Sequence, residues 1–258
     1  MPAGQKTNDA SEIYHTFSKV MQVKGFEGLI QNIRIKKGWK ILDVGCGTGN
    51  NTFQLSKMVG EKGKVVGIDP IKERIEKAKD AFSDTSNLEF HQAFGRDASN
   101  FGDDFDLVIM VFVLHWLTPA EKEATLKSIF KCLKRGGQLL LNPSNGSDFF
   151  KTVIRQLSVY EKITSNFYYI GVDEIKNLLI TAGFGDLDIS EEYRLVFQGI
   201  QSLDDFIHWI AASIHTVDYE PLVVEMLDVC QRQDMSFMYN ESGQLTVKHP
   251  VYNIYCKK

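Results

Sequence analysis

The chain has 258 residues, 43% hydrophobic and 24% charged, with a formal net charge of −4. That length can bury a sizeable core as one large domain, and the composition excludes a disordered or fibrous chain. The slight acidity gives no basic footprint for general nucleic-acid binding, and the polar opening "MPAGQKTNDA", with no long apolar run after it, points to a cytoplasmic chain without a membrane span.

Residues 10 to 35 read as helical. From about residue 40, short apolar runs alternate with helical periodicity. "KILDVG" is a buried strand, "NNTFQLSKMV" a helix closed by Gly60 and Gly63, and "KVVGID" a second strand. The charge-rich helix "IKERIEKAKDAF" follows, then strands at "LEFHQA" and "FDLVIMVFVL". Thr118 and Glu121 form a capping box around Pro119 and start the next helix, which is expected to run to Gly136-Gly137 before a strand at "QLLLN". Further on, "VDEIKNLLITAGF" reads as a helix, "DLDISEEYRLVFQ" as a strand, residues 201 to 235 as helical and "PVYNIYCKK" as a last strand.

Strands alternating with helices predict an α/β fold: a Rossmann-like open sheet, mostly parallel with an antiparallel last strand, and helices on both faces. The organisation expected is a single domain over residues 1–258. Its core is 36–142, and residues 1–35, 143–172 and 200–240 are helical cap additions on the substrate side. The cysteines Cys46, Cys132, Cys230 and Cys256 are scattered with no CxxC pair, which predicts free thiols and no metal.

The most informative stretch is "WKILDVGCGTGNNT", where Gly45, Gly47 and Gly49 alternate after Asp43. Glycines this close imply that something approaches the backbone. In an open parallel sheet the first strand-to-helix turn lies where ligands bind. A turn for a dinucleotide's pyrophosphate reads GxGxxG, whereas this one reads GxGxG. A carboxylate at Asp43 repels a pyrophosphate and suits a ligand carrying an ammonium and a sulfonium. Asp69, closing the second strand, is placed to accept hydrogen bonds from two ribose hydroxyls.

"LDVGCGTGN" followed by "VVGIDP" resembles the class I methyltransferases that use S-adenosylmethionine. The resemblance implies that the glycine turn passes beneath the methionine part of that cofactor and that Asp69 holds its ribose. Pro70 and its neighbour Ile71 either pack on the adenine or only start the next helix. Asp97, with Ala98 beside it in "FGRDAS", fits the acid that meets the adenine amino group; the alternative is an ordinary loop acid. "LHW" after the fourth strand, with "IFKCLKRGGQLLL", further resembles the subgroup containing juvenile hormone acid and trans-aconitate methyltransferases. In that subgroup's opening helix a tyrosine and a later glutamine fold over the cofactor, and Tyr14 and Gln22 match them. The rival there is an amphipathic helix with an incidental tyrosine.

His115 and Trp116 fall at the exit of the fourth strand, where a substrate faces the methyl group. His115 is either a catalytic base or a structural histidine, and Trp116 either a pocket wall or plain packing. The subgroup methylates carboxylates, and a carboxylate arrives ionised and needs no base. The acceptor expected is therefore a small carboxylic acid with apolar surface, and not nucleic acid. Donors for its charge are sought in the additions, among Arg155, Asn166, Tyr168 and Tyr169, then His208, Trp209 and His215. The rivals are a small-molecule N- or phenol O-methyltransferase using His115 as base, and a catalytically silent cofactor-binding module.

Overall fold

Side chains alternate across a strand, so a strand buried on both faces sorts its residues into two cores. In the computed structural model, which describes residues 26–31, 33–143, 148–165, 167–168, 170–195, 202–214, 217–246 and 248–258, β1 (Lys40–Val44), β4 (Phe105–Val111) and β5 (Leu133–Asn142) do this. Ile41, Leu107, Ile109 and Leu140 face one core with Leu55 and Val59 of α1 (Asn50–Val59) and with Phe26 and Leu29 of a helical turn at residues 26–30. Leu42, Val44, Val108, Met110, Leu139 and Leu141 face the other. There they meet Leu126 and Ile129 of α3 (Pro119–Cys132) and Ile175 and Leu179 of α6 (Val172–Ala182).

The sheet has seven strands in the order β3-β2-β1-β4-β5-β7-β6, with β2 at Lys64–Asp69, β3 at Leu88–Gln92, β6 at Gly185–Leu195 and β7 at Lys248–Lys257. Neighbours from β3 to β5 are parallel, and β7 runs antiparallel to β5, as the sequence predicts. After β1 the chain builds outward through β2 and β3, with α2 (Lys72–Ala81) between them, and then returns to lay β4 on the other side of β1. That reversal opens a crevice at the carboxyl ends of β1 and β4.

Three boundaries differ from the sequence reading. The fourth strand stops at Val111, because Phe112 adopts φ 54° and turns the chain out of the sheet. α3 begins at its capping box, with Thr118 Oγ1 accepting from the Glu121 N–H and Glu121 Oε2 accepting from the Thr118 N–H (3.3 and 3.0 Å), but it ends at Cys132 rather than at Gly136-Gly137. Leu133 is already extended and pairs with Phe105. The register then slips before Leu107 pairs with Gln138, so Lys134 to Gly136 bulge where further helix was expected.

The described residues form two compact units. One, with the described residues among 26–143, 168–192 and 251–258, holds most of the sheet. The other, with the described residues among 148–167 and 193–250, holds α4 (Asp148–Thr152), α5 (Tyr160–Thr164), α7 (Leu203–Ser213) and α8 (Tyr219–Gln231). Its core is built on Phe149, Ile154, Phe206, Leu222 and Met226, with Phe149 and Phe206 edge to face at 4.7 Å. Ser202 caps α7 by accepting from the Asp205 N–H at 3.1 Å. All four cysteines are buried free thiols, and no group of three or more metal-ligating side chains occurs among the described residues. No described helix is long and apolar enough to cross a membrane.

Candidate cofactor and methyl-transfer site

The turn after β1 is held by the next strand: the N–H groups of Gly45 and Cys46 both donate to the Ile68 carbonyl, at 2.7 and 3.0 Å. Gly45, Gly47 and Gly49 all have left-handed φ, at 78°, 55° and 84°. Their surroundings separate them. A Cβ on Gly45 would lie 2.2 Å from Val113 Cγ2, and one on Gly49 would lie 2.5 Å from Phe90 Cζ and 3.1 Å from Ala78 Cβ. A Cβ on Gly47 would meet nothing within 4 Å among the described residues. Two of the three glycines therefore make room for the protein's own side chains, and the middle one meets none of the described residues.

Asp43 is buried and accepts a 2.7 Å hydrogen bond from Thr52 Oγ1 on the first turn of α1. Asp69, also buried, accepts from the Gly47 N–H at 3.1 Å with Oδ2 and from the Ile71 N–H at 2.9 Å with Oδ1. It thus ties the exits of β1 and β2 together. The Arg74 guanidinium lies 3.8 Å from Oδ2. A carboxylate offers about four acceptor positions, so Asp69 retains capacity for a ribose.

Burial pushes the Asp43 carboxyl from its ordinary 3.8 up to about 7, with the neighbouring Asp69 charge adding to the rise and the Thr52 hydroxyl opposing it. Because the folded value lies above the unfolded one, the folded chain holds a proton there that the unfolded chain has lost. The associated stability is complete below about pH 4 and disappears as pH rises through about 7. Asp43→Asn should flatten that part of the stability profile; urea midpoints for both proteins from pH 4 to pH 8 measure it, and parallel curves would contradict the assignment.

Asp97 lies on the 3-10 turn Gly95–Phe101 after β3, where its Oδ2 accepts from the Phe94 N–H at 3.3 Å. Ala98 beside it is fully buried in the core of the sheet unit. The Pro70 carbonyl accepts from Gln92 Nε2 at 3.1 Å, which joins the exits of β2 and β3. At the exit of β4, Leu114–Trp116 form a 3-10 turn that separates its two candidates. His115 is only 6% exposed, while Trp116, its ring 5.2 Å from the imidazole, is 41% exposed.

A feature that sequence reasoning missed is an apolar rim. Ile71, Phe94 and Trp116, exposed by 39%, 48% and 41%, follow the carboxyl ends of β2, β3 and β4 in turn. Sequence reading named Ile71 and Trp116 one at a time, and Phe94 has no local signal except its place after a strand. Phe94 is steadied by Arg96, whose guanidinium stacks at 4.0 Å from the ring and reaches Glu121 at 3.4 Å. The strained Phe112, its N–H bonded to the Asn142 carbonyl at 3.0 Å, packs against the core on the α1 face. Tyr14 and Gln22 lie outside the described residues, as do Asn166, Tyr169 and His215. Arg155 is exposed, and His208 is bonded to the Tyr219 hydroxyl at 2.6 Å in the helical unit.

Clearance over Gly47 among the described residues, the Asp69 carboxylate bonded to its N–H and the exposed apolar side chains after the strands suit a nucleoside joined to a charged aliphatic chain. Residues 41–137 match the family model described as a methyltransferase domain. The chain is 34% identical over 130 residues to the ubiquinone/menaquinone biosynthesis C-methyltransferase UbiE of Vibrio vulnificus, an alignment covering 49% of this chain and 47% of that protein. It thus spans about half the length of the curated relatives it matches. Among solved structures it superposes on the YcgJ protein of Bacillus subtilis (TM-score 0.67, 16% identity, 92% of this chain and 98% of that one). It also superposes on a Haemonchus contortus phosphoethanolamine N-methyltransferase 2 in complex with S-adenosyl-L-methionine (TM-score 0.62, 12% identity, 100% and 61%). At these identities the structural matches speak for the fold alone.

Proposed function

We propose that the protein is an S-adenosylmethionine-dependent methyltransferase acting on a small molecule, and that the acceptor is a carboxylic acid with apolar surface. The observation that carries the acceptor reading is the contrast at the β4 exit, an accessible Trp116 beside an almost inaccessible His115. An acceptor with a proton to lose wants a general base within reach; a carboxylate brings its nucleophilic oxygen already ionised.

The sulfonium of the cofactor supplies an activated methyl group, so what remains for the chain is binding and alignment. Gly47 gives clearance for the methionine part, Asp69 accepts from the ribose, and Ile71 with Phe94 flanks the adenine, with Asp97 at its amino group. Trp116 walls the acceptor side. Holding the two reactants in line contributes on the order of 7–11 kcal/mol to lowering the barrier. The resemblance to the juvenile hormone acid and trans-aconitate methyltransferases supports the carboxylate. A second reading, methylation of a ring carbon, draws on the similarity to UbiE. That similarity covers 49% of the chain, and the residues read here as acceptor-side additions fall largely beyond the methyltransferase-domain match.

Incubation with methyl-tritiated cofactor and separate panels of apolar carboxylic acids, tricarboxylic acids, quinols and amines tests both readings. The expected product is a label released as volatile methanol by mild base, which identifies a methyl ester. Label that resists base and follows the quinols would replace the carboxylate with the ring carbon. Cofactor binding with no transfer to any panel or to a cell extract would leave a binding module.

A further inference from the structure

Lysine is rarely buried, because an ammonium without a partner is costly to remove from water. Lys122, in the first turns of α3, is 1% exposed. Burial pulls its pKa down, and the nearby Glu174 carboxylate on α6 opposes the fall. The ammonium donates to the Tyr168 carbonyl at 2.6 Å. On its other side the Tyr168 N–H donates to the His115 carbonyl at 2.8 Å. One backbone unit is therefore gripped from both directions by residues that bracket the turn carrying Trp116. Tyr168 is also the first residue of the segment 168–192, by which the chain re-enters the sheet unit before α6.

We infer that Lys122 is a positioning residue for the acceptor side of the site: by holding the Tyr168 backbone against His115, it fixes the turn that presents Trp116. Neither bond is made to the glycine turn, Asp69 or the β3 exit, so the clamp acts first on the acceptor wall. Packing by itself does not need this residue. An apolar side chain of similar volume fills a buried site without the desolvation penalty of an ammonium. The meaning of the clamp for catalysis rests on the methyltransferase reading; the clamp itself does not.

The test uses the full chain with Trp39 and Trp209 replaced by phenylalanine, so that emission reports Trp116 alone, and compares Lys122→Met with Lys122→Arg. In Lys122→Met, acrylamide quenching of Trp116 should rise about twofold and exchange protection of the Tyr168 amide should fall about tenfold or more. S-adenosylhomocysteine affinity, measured by calorimetry, should stay within about twofold of the parent, as for an independent site. Lys122→Arg, which keeps the charge and the donors, should restore much of the lost protection. Unchanged quenching and exchange in Lys122→Met overturn the inference. So does a loss of S-adenosylhomocysteine affinity that parallels the loosening, since Lys122 would then support the whole domain. Should Lys122→Met not fold, the parent decides the matter: a Tyr168 amide exchanging at free-peptide rates means that no clamp exists. Failure of the parent to bind S-adenosylhomocysteine counts against the methyltransferase reading, and the Trp116 and Tyr168 readouts still decide the clamp.

Discussion

Asp69→Ala should weaken S-adenosylhomocysteine binding by about a thousandfold, from the loss of two ribose hydrogen bonds to a charged acceptor at about 1.5–3 kcal/mol each. A second effect accompanies the first. The same carboxylate accepts from the N–H groups of Gly47 and Ile71, so its removal frees the turn after β1 and the entry to α2 together. Folding stability should fall by about 2 kcal/mol, the expectation for leaving such buried donors without an acceptor. Calorimetric titration and urea unfolding separate the two effects. Asp69→Asn keeps the shape but turns one oxygen into a donor facing an N–H, and it should fall between the parent and the alanine variant in both measurements. Binding within about threefold of the parent in Asp69→Ala, a difference of well under 1 kcal/mol, would contradict the ribose assignment.

Gly49→Ala and Gly47→Ala should exchange ranks between two assays. At Gly49 the new methyl enters the Phe90 ring at 2.5 Å while the backbone stays left-handed. Overpacking of about 1–3 kcal/mol adds to about 1–2 kcal/mol of left-handed strain, so the expected loss is about 3 kcal/mol, or about 8 °C in midpoint for a chain of this size. At Gly47 only the strain applies, because a Cβ there meets nothing within 4 Å among the described residues; the midpoint should fall by about 3 °C. Binding should show the reverse order. The Gly47 methyl points into the space assigned to the ligand, and a clash there should weaken S-adenosylhomocysteine by about tenfold or more, the scale of a 1.4 kcal/mol penalty. Gly49→Ala, once folded, should bind close to normally. The same order of severity in both assays would sink the division of roles.

Much of the fold was legible because strand and helix periods are local. The parallel core, the antiparallel last strand and the Thr118–Glu121 cap all follow from patterns a few residues long. The end of α3 was not legible, because Lys134, Arg135 and the two glycines carry every sign of a helix terminus. What ends the helix earlier is the pairing of Leu133 with Phe105, a contact between residues distant in sequence. The same distinction runs through the site. Asp43, Asp69 and the glycines announce themselves by spacing. Phe94 ranks with Ile71 and Trp116 only because each follows the carboxyl end of a strand, and nothing local marks Lys122, whose partner Tyr168 lies 46 positions away. The glycine motif itself was half understood: close approach was the right inference, but at Gly45 and Gly49 the approaching atoms belong to Val113 and Phe90.

That last point bears on how such a domain ages. Selection for a folded sheet alone is enough to retain Gly45 and Gly49, since Val113 and Phe90 occupy the space a side chain would need. At Gly47 folding asks only for a residue that tolerates the left-handed φ, and it is continued use of the ligand that bars a side chain there. A descendant that abandoned its chemistry would keep most of the motif as an inheritance of its architecture, and the middle glycine would be the first of the three to drift.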